Sequence, residues 1–236
     1  MELDRLVVSR VIARLFDEAS QKGVRLEVSR DFGLLEGLLE HVPEKGLTEH
    51  FRRNLNTYSP QQAFWLGGFN QLGELVGLAA ARLDQLGSWT LEKYWREYWS
   101  RCYPADDGSQ VQMSDRQYRF AKDIQGDVVY LGEMWVAKQH ATNGVSGPFS
   151  KAILLLSLLE WQFQVAYAWV RPAFLDRGFA FKCGFTSTHP GIIWDRGPAT
   201  IDQDLHIMAS SRSDLFDLVD LLSFELPEAL NSSKST

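Results

Sequence analysis

The chain has 236 residues, of which 45% are hydrophobic and 23% charged, and this balance excludes disorder over most of its length while leaving enough apolar surface for one large core. Its 24 basic and 30 acidic side chains give a net charge of −6 with no Lys/Arg run able to follow a phosphate backbone, so no nucleic-acid partner is expected.

Residues 1–5 are mixed in charge and lead into an amphipathic pattern, unlike the basic start and apolar core of a signal peptide. Leu3, Leu6, Val7, Val11 and Leu15 recur at helical spacing, and Gly23 ends the run where a left-handed cap fits, so residues 1–23 are predicted to form an amino-terminal helical arm. Residues 24–28 alternate as a short strand, Asp31 is placed to cap a short helix, and a second helix is predicted over 47–55. Residues 63–69 and 75–81 read as a strand hairpin about the polar turn 70–74. Residues 89–103 spread Trp89, Tyr94, Trp95, Tyr98, Trp99 and Tyr103 over a helix stopped by Pro104, within an insert running from 88 to 126 whose polar second half has no clear period.

Residues 128–136 form the most strand-like segment, and the loop 137–147 feeds an apolar helix beginning near Pro148. The oiliest stretch, 152–170, is interrupted by Glu160, Gln162 and Gln164, whereas a membrane span needs about 20 predominantly apolar residues, so it reads as a buried helix running into a buried strand at 164–170. Pro172 opens a further helix that Gly184 and Phe185 stop. Residues 191–195 and 204–209 read as two strands, Ser213 caps a last helix, and 231–236 reads as a frayed tail, so that 211–236 form a carboxy-terminal helix and tail. The order implies an α/β domain over residues 24–210: a mixed, mostly antiparallel central sheet flanked by helices, with a ligand site where strand ends meet a helix start.

Cys102 and Cys183 have neither disulfide-framework nor zinc-site spacing, which points to a reducing cytoplasm, and His41, His50, His140, His189 and His206 show no metal-type spacing. Gly144-Val145-Ser146-Gly147 is one residue short of a nucleophile elbow, and no Walker-type or dinucleotide loop occurs. What the turn 143–147 does offer is consecutive N–H groups at a helix start, with small residues at Gly144, Ser146 and Gly147 that let phosphate oxygens approach.

Taken in order, these features resemble the GCN5-related N-acetyltransferase superfamily. The carriers are the strand end Glu133-Met134-Trp135-Val136, the turn Asn143-Gly144-Val145-Ser146-Gly147, the strand 165–170, and the helix closing on Gly184-Phe185. The resemblance implies an acyl-CoA N-acyltransferase fold and acetyl-CoA or another acyl-CoA as cosubstrate, with no metal. It also implies transfer to an amine of a small molecule or protein. In that reading Met134, Trp135 and Val136 bind the pantetheine through their backbone, Gly144, Val145, Ser146 and Gly147 seat the pyrophosphate, and Glu133 deprotonates the amine. Trp95 and Trp99, four apart on one helix face, would line the acceptor site or pack inward, and either aromatic pair of the insert would alternatively meet a second subunit in a homodimer.

The sequence also departs from the family pattern. Where the family carries a basic or Gln residue before its first matched glycine this chain has Ala141, and the family's preceding glycine is Thr142. Lys138 and His140 are the nearby substitutes as donors. The tyrosine that many members use to protonate the departing thiolate falls at Ala180 or Phe181. These absences favour the alternative of a non-catalytic acyl-CoA sensor or subunit of a complex with the same fold.

Overall fold

The computed structural model describes residues 4–224, so Leu3 and the tail expected over 231–236 lie outside the described residues. Helix α1 (Arg5–Gln21) starts at Asp4, whose carboxylate accepts from the N–H groups of Leu6 and Val7 at 3.0 and 3.3 Å, and it buries Val8, Val11, Ile12, Leu15 and Ala19. Gly23, at φ +81°, turns the chain into β1 (Arg25–Ser29). Asp31 then caps α2 (Phe32–Leu39) through the Leu34 N–H at 3.0 Å.

The helix expected over 47–55 is a run of turns instead. Its backbone bonds close on Thr48 and Arg52, while the Thr48 side chain and N–H reach across to the Glu133 carboxylate and the Arg52 Nε donates to Leu47 O at 2.9 Å. Leu47 and Phe51 are buried from these turns.

Strands β2 (Ala63–Phe69) and β3 (Leu75–Thr90) form the expected hairpin, with β3 much longer than its apolar run. The aromatic segment follows as α3 (Leu91–Tyr94), a π-helical turn (Trp95–Trp99) and a 3₁₀ turn (Ser100–Cys102). The polar stretch after it holds β4 (Gln112–Met113) and α4 (Arg119–Asp123) before the central strand β5 (Gln125–Val136). Beyond β5 come α5 (Lys138–Ala141), α6 (Ser146–Glu160) and β6 (Val165–Val170).

The single helix expected from Pro172 is two, α7 (Pro172–Leu175) and α8 (Phe179–Lys182), because Gly178 at φ +67° breaks it. The chain closes with β7 (Ser187–Pro190), β8 (Trp194–Arg196), β9 (His206–Ser211) and α9 (Arg212–Phe224). The expected strand over 191–195 is therefore displaced. The polar residues of β7 pair with β9 at the sheet edge, where Pro190 is tolerated as a terminal residue, and β8 leaves to pair with β4.

The main sheet has seven strands in the order β1-β2-β3-β5-β6-β9-β7, antiparallel throughout except for the parallel pair β5–β6. Alternate residues of each strand enter opposite layers, as strand geometry requires. Val129 and Leu131 of β5 join α1, α6 and α9, whereas Val128 and Tyr130 join α2, the turns after it and the aromatic segment. The mixed, mostly antiparallel sheet between helices is the architecture the sequence implied. No helix among the described residues is long and apolar enough to cross a membrane.

Candidate active site

β5 carries an irregularity near its carboxy-terminal end. Ala80 of β3 stands opposite Gly132 and Leu78 opposite Trp135, so Glu133 and Met134 together face the single residue Ala79: a β-bulge. Glu133 sits there at φ +61°, a conformation few non-glycine residues adopt. Gly132 has no room for a side chain, since a Cβ would lie 2.8 Å from Phe51 Cε2 and 2.9 Å from Tyr130 Oη.

On the other edge of β5 the parallel ladder ends at the Leu131–Ala168 pair, while β6 continues to Val170 against β9. The two strands part at the bulge, and a cavity of about 440 Å³ fills the gap. Ser150 and Ile153 of α6, with Cys183 and Phe185, wall it on one side of the sheet, and Trp99, Tyr103, Tyr130 and Trp194 wall it on the other. The Ser150 hydroxyl donates to Cys183 O at 3.1 Å, tying α6 to the end of α8, and burial pushes the Cys183 thiol up to about 11.

Glu133 and Met134 belong to this wall; Trp135 and Val136 lie beyond the bulge and outside it. The Ala137 N–H donates to Val76 O at 2.9 Å, and the alternation of backbone directions then turns the Val136 N–H toward the unpaired edge. The Glu133 carboxylate is engaged on both oxygens. Its Oε1 accepts from the Thr48 N–H at 2.8 Å and from the Thr48 hydroxyl, and its Oε2 pairs with the Lys45 ammonium, which also donates to Gly46 O at 2.8 Å. Residues 45–48 are thereby held across the cavity.

The glycine turn lies where α5 gives way to α6, with Gly144 at φ +71° and the Val145 side chain buried in the core. Among the described residues, the N–H groups of Gly144, Val145, Ser146 and Gly147 find no backbone acceptor, the usual state of a helix start. A Cβ on Gly144 would lie 3.8 Å from Lys22 Nζ, so a cation that the sequence reading did not consider stands beside the turn. None of 144–147 lines the cavity; α6 meets it slightly further on, at Ser150.

The structure separates Trp95 from Trp99. Trp95 is core, with Nε1 donating to Tyr167 Oη at 3.1 Å, whereas Trp99 is equally buried but forms part of the cavity wall. Tyr98, on the neighbouring face, is exposed and stacks on Tyr94. Arg96 is committed to the carbonyls of Met113 and Ser114, both at 2.8 Å. Ala180 is buried and Phe181 exposed, so no hydroxyl stands at that place.

His50, which sequence spacing did not mark, lies in the cavity wall and is buried. Its ring lies 3.6 Å, centroid to centroid, from Trp99; its Nε2 bonds Tyr103 Oη, and its Nδ1 has no partner. Burial first, and then the Arg82 guanidinium, hold its protonation well below the usual histidine range. Arg82 donates to His50 O and, through Nε at 2.8 Å, to Asp84; although burial opposes its charge, Asp84 keeps it protonated. Only the isolated triplet Thr48-Glu49-His50 before Phe51 could have drawn attention to this histidine. Among the described residues no cluster of His, Cys, Asp and Glu could hold a metal ion.

No protein-family model matches the chain, and no curated protein does. Among solved structures it is similar to NAA60 of Arabidopsis thaliana in complex with acetyl-CoA, at 12% identity over 80% of this chain and 98% of that one, with a TM-score of 0.47. It is also similar to FeeM, an N-acyl amino acid synthase from uncultured soil microbes, at 13% identity over 86% and 99% of the two chains, TM-score 0.46. The aminoglycoside acetyltransferase AAC(6')-Ib in complex with coenzyme A and kanamycin aligns at 14% identity over 82% and 98%, TM-score 0.45. The seven-stranded mixed sheet is covered by helices on both faces and leads from its central strand through a glycine turn into α6.

Proposed function

We propose that the chain is an acyl-CoA-dependent N-acyltransferase that moves an acyl group, acetyl in the simplest case, to an amine of a small molecule or protein. The observation that carries this reading is the parting of β5 from β6 at the Glu133 bulge, which opens one cavity to both faces of the sheet. A thioester entering from the α6 side and an amine entering from the aromatic side would meet there.

The residues fit an acyl-CoA in three respects. The unpaired N–H groups at 144–147 and Lys22 suit the pyrophosphate. The Val136 N–H suits a carbonyl of the pantetheine arm or thioester, where a fixed donor facing developing charge lowers the barrier. The apolar wall formed by Ile153 and Phe185 suits the acyl group. On the acceptor side Trp99, Tyr130 and Trp194 favour an amine borne on an apolar or aromatic body. Glu133 acts there by holding Lys45 and Thr48 over the site.

A second reading, an acyl-CoA sensor without turnover, is favoured by Ala180, which puts no acid at the place where the thiolate would leave. Two measurements separate the readings. Acetyl-, succinyl- and longer acyl-CoA are tested for a rise in melting temperature, and a panel of amines for release of free thiol. Both responses support the enzyme, a melting shift alone supports the sensor, and neither response removes both.

A further inference from the structure

We propose that His50 takes the proton from the attacking amine, with Tyr103 as a positioning residue that orients its ring. The proposal rests on the acyl-transfer reading and names the base for it.

The geometry is that of a held imidazole with one buried nitrogen left without a partner. His50 stands in the wall of the cavity on the acceptor side, its ring against Trp99 at 3.6 Å between centroids and edge-on to Tyr130 at 5.2 Å. Nε2 is bonded to Tyr103 Oη, Arg82 holds the backbone carbonyl, and Nδ1 is the one ring atom capable of hydrogen bonding that is left without a partner. A buried polar atom without a partner is costly, and such atoms mark places where an unseen water or ligand belongs. With the ring proton on Nε2 and donated to Tyr103, Nδ1 presents a lone pair. Glu133 differs in kind: it faces the same cavity, but Lys45 and Thr48 already occupy both of its oxygens.

The step balances without any further reactant. The amine nitrogen attacks the thioester carbonyl carbon and forms the C–N bond while its proton passes to Nδ1. The C–S bond then breaks with its electron pair on sulfur, and Nδ1 returns the proton to that thiolate. Amide, free thiol and neutral imidazole result, and one group does the work that Ala180 and Phe181 leave undone. The charged and titratable groups around the ring are Arg82, the Lys45–Glu133 pair, Glu49 and the hydroxyls of Tyr103 and Tyr130. Burial first, and nearby groups after it, push both tyrosines up, so they stay neutral at neutral pH. His50 is likewise uncharged there and able to accept.

The test uses the whole chain with acetyl-CoA and the best amine of the panel. His50→Gln and His50→Ala are expected to lower turnover by about 10²–10⁴-fold, the scale of general acid–base catalysis, and to keep the melting shift with acetyl-CoA. Added imidazole is expected to restore part of the turnover of His50→Ala by entering the space vacated. Should His50→Ala fail to fold, Tyr103→Phe keeps the bulk and loses the hydroxyl; it is expected to lower kcat and leave KM for acetyl-CoA unchanged. Undiminished turnover in His50→Gln overturns the proposal, as does a loss in folded His50→Ala that imidazole leaves untouched, or an unchanged kcat in Tyr103→Phe. Those failures leave wild-type thiol release intact, whereas a wild type that neither shifts nor releases thiol sinks the acyl-transfer reading itself and this proposal with it.

Discussion

Glu133 combines two costs, a left-handed backbone and a buried charge, and the groups that offset them come from a distant segment. Lys45 lies 88 residues earlier in the chain, and its side chain is only 12% exposed. Removing one partner of a buried pair strands the other charge, which costs about 3–5 kcal/mol; the residual exposure of Lys45 puts the expectation at the lower end. Lys45→Met should therefore lower the urea-unfolding free energy by about 3 kcal/mol. The double variant Lys45→Met, Glu133→Gln should recover part of that loss, because no bare carboxylate remains. A loss below about 1 kcal/mol would mean that water already screens the pair, and the anchoring role would go. The family-like strand end Glu133-Met134-Trp135-Val136 made Glu133 legible in the sequence as a candidate base, and the structure places it in the cavity wall. Its partner was not legible, because a pairing across 88 residues leaves no local period, and His50 was hidden for the same reason.

Elements were legible where burial imposes a period and illegible where single side chains decide. The strand expected over 128–136 is the core of β5, and the helix expected near Pro148 is α6, since both bury continuous apolar runs. The helix expected over 47–55 failed because Thr48 bonds Glu133, and β7 was missed because Ser187-Thr188-His189-Pro190 forms an edge strand of polar residues. The start of α9 is a case of misplaced emphasis: its cap is Ser211, two residues before the expected Ser213. Ser211 Oγ accepts from the Asp214 N–H at 3.1 Å, while Asp214 Oδ2 accepts from the Ser211 N–H at 2.7 Å and the Thr186 hydroxyl at 2.8 Å, a reciprocal capping box. Burial pulls the Asp214 carboxyl up, but the bonds from Ser211 and Thr186 outweigh it and hold it below the usual range. A carboxyl depressed in the folded state contributes stability above its unfolded pKa of about 4, and that contribution is lost as pH falls through the folded value. Asp214→Asn should accordingly melt below the wild type at about pH 7, and the gap should narrow as pH falls below about 4. A gap that stays constant over that range would assign the loss to hydrogen-bond geometry instead of charge.

At the scale of the whole molecule, the sheet divides two apolar layers, and the parting of β5 from β6 is where a ligand can touch both. A ligand that binds only the folded state stabilises it by mass action, by about 2.7 kcal/mol at a hundred times its dissociation constant. For a chain of this size that corresponds to a rise in melting temperature of roughly 5–10 °C. Gly147 offers a test of whether the pyrophosphate of acetyl-CoA is seated at the start of α6. A Cβ there would meet Lys182 O at 3.6 Å, an ordinary contact, whereas Gly144 at φ +71° would be strained by any side chain. Gly147→Ala should therefore melt with the wild type when no ligand is present. Its added methyl would crowd the unpaired N–H groups of 144–147, so the rise with acetyl-CoA should shrink. Acetyl-pantetheine, which has the thioester and lacks the pyrophosphate, should shift both proteins equally, though less. If Gly147→Ala keeps the full rise with acetyl-CoA, the pyrophosphate is seated elsewhere, with Lys22 and Lys138 the next cations to replace. If both ligands lose equally, the methyl acts through the packing of α6 on the sheet, and the turn has no separate part in binding.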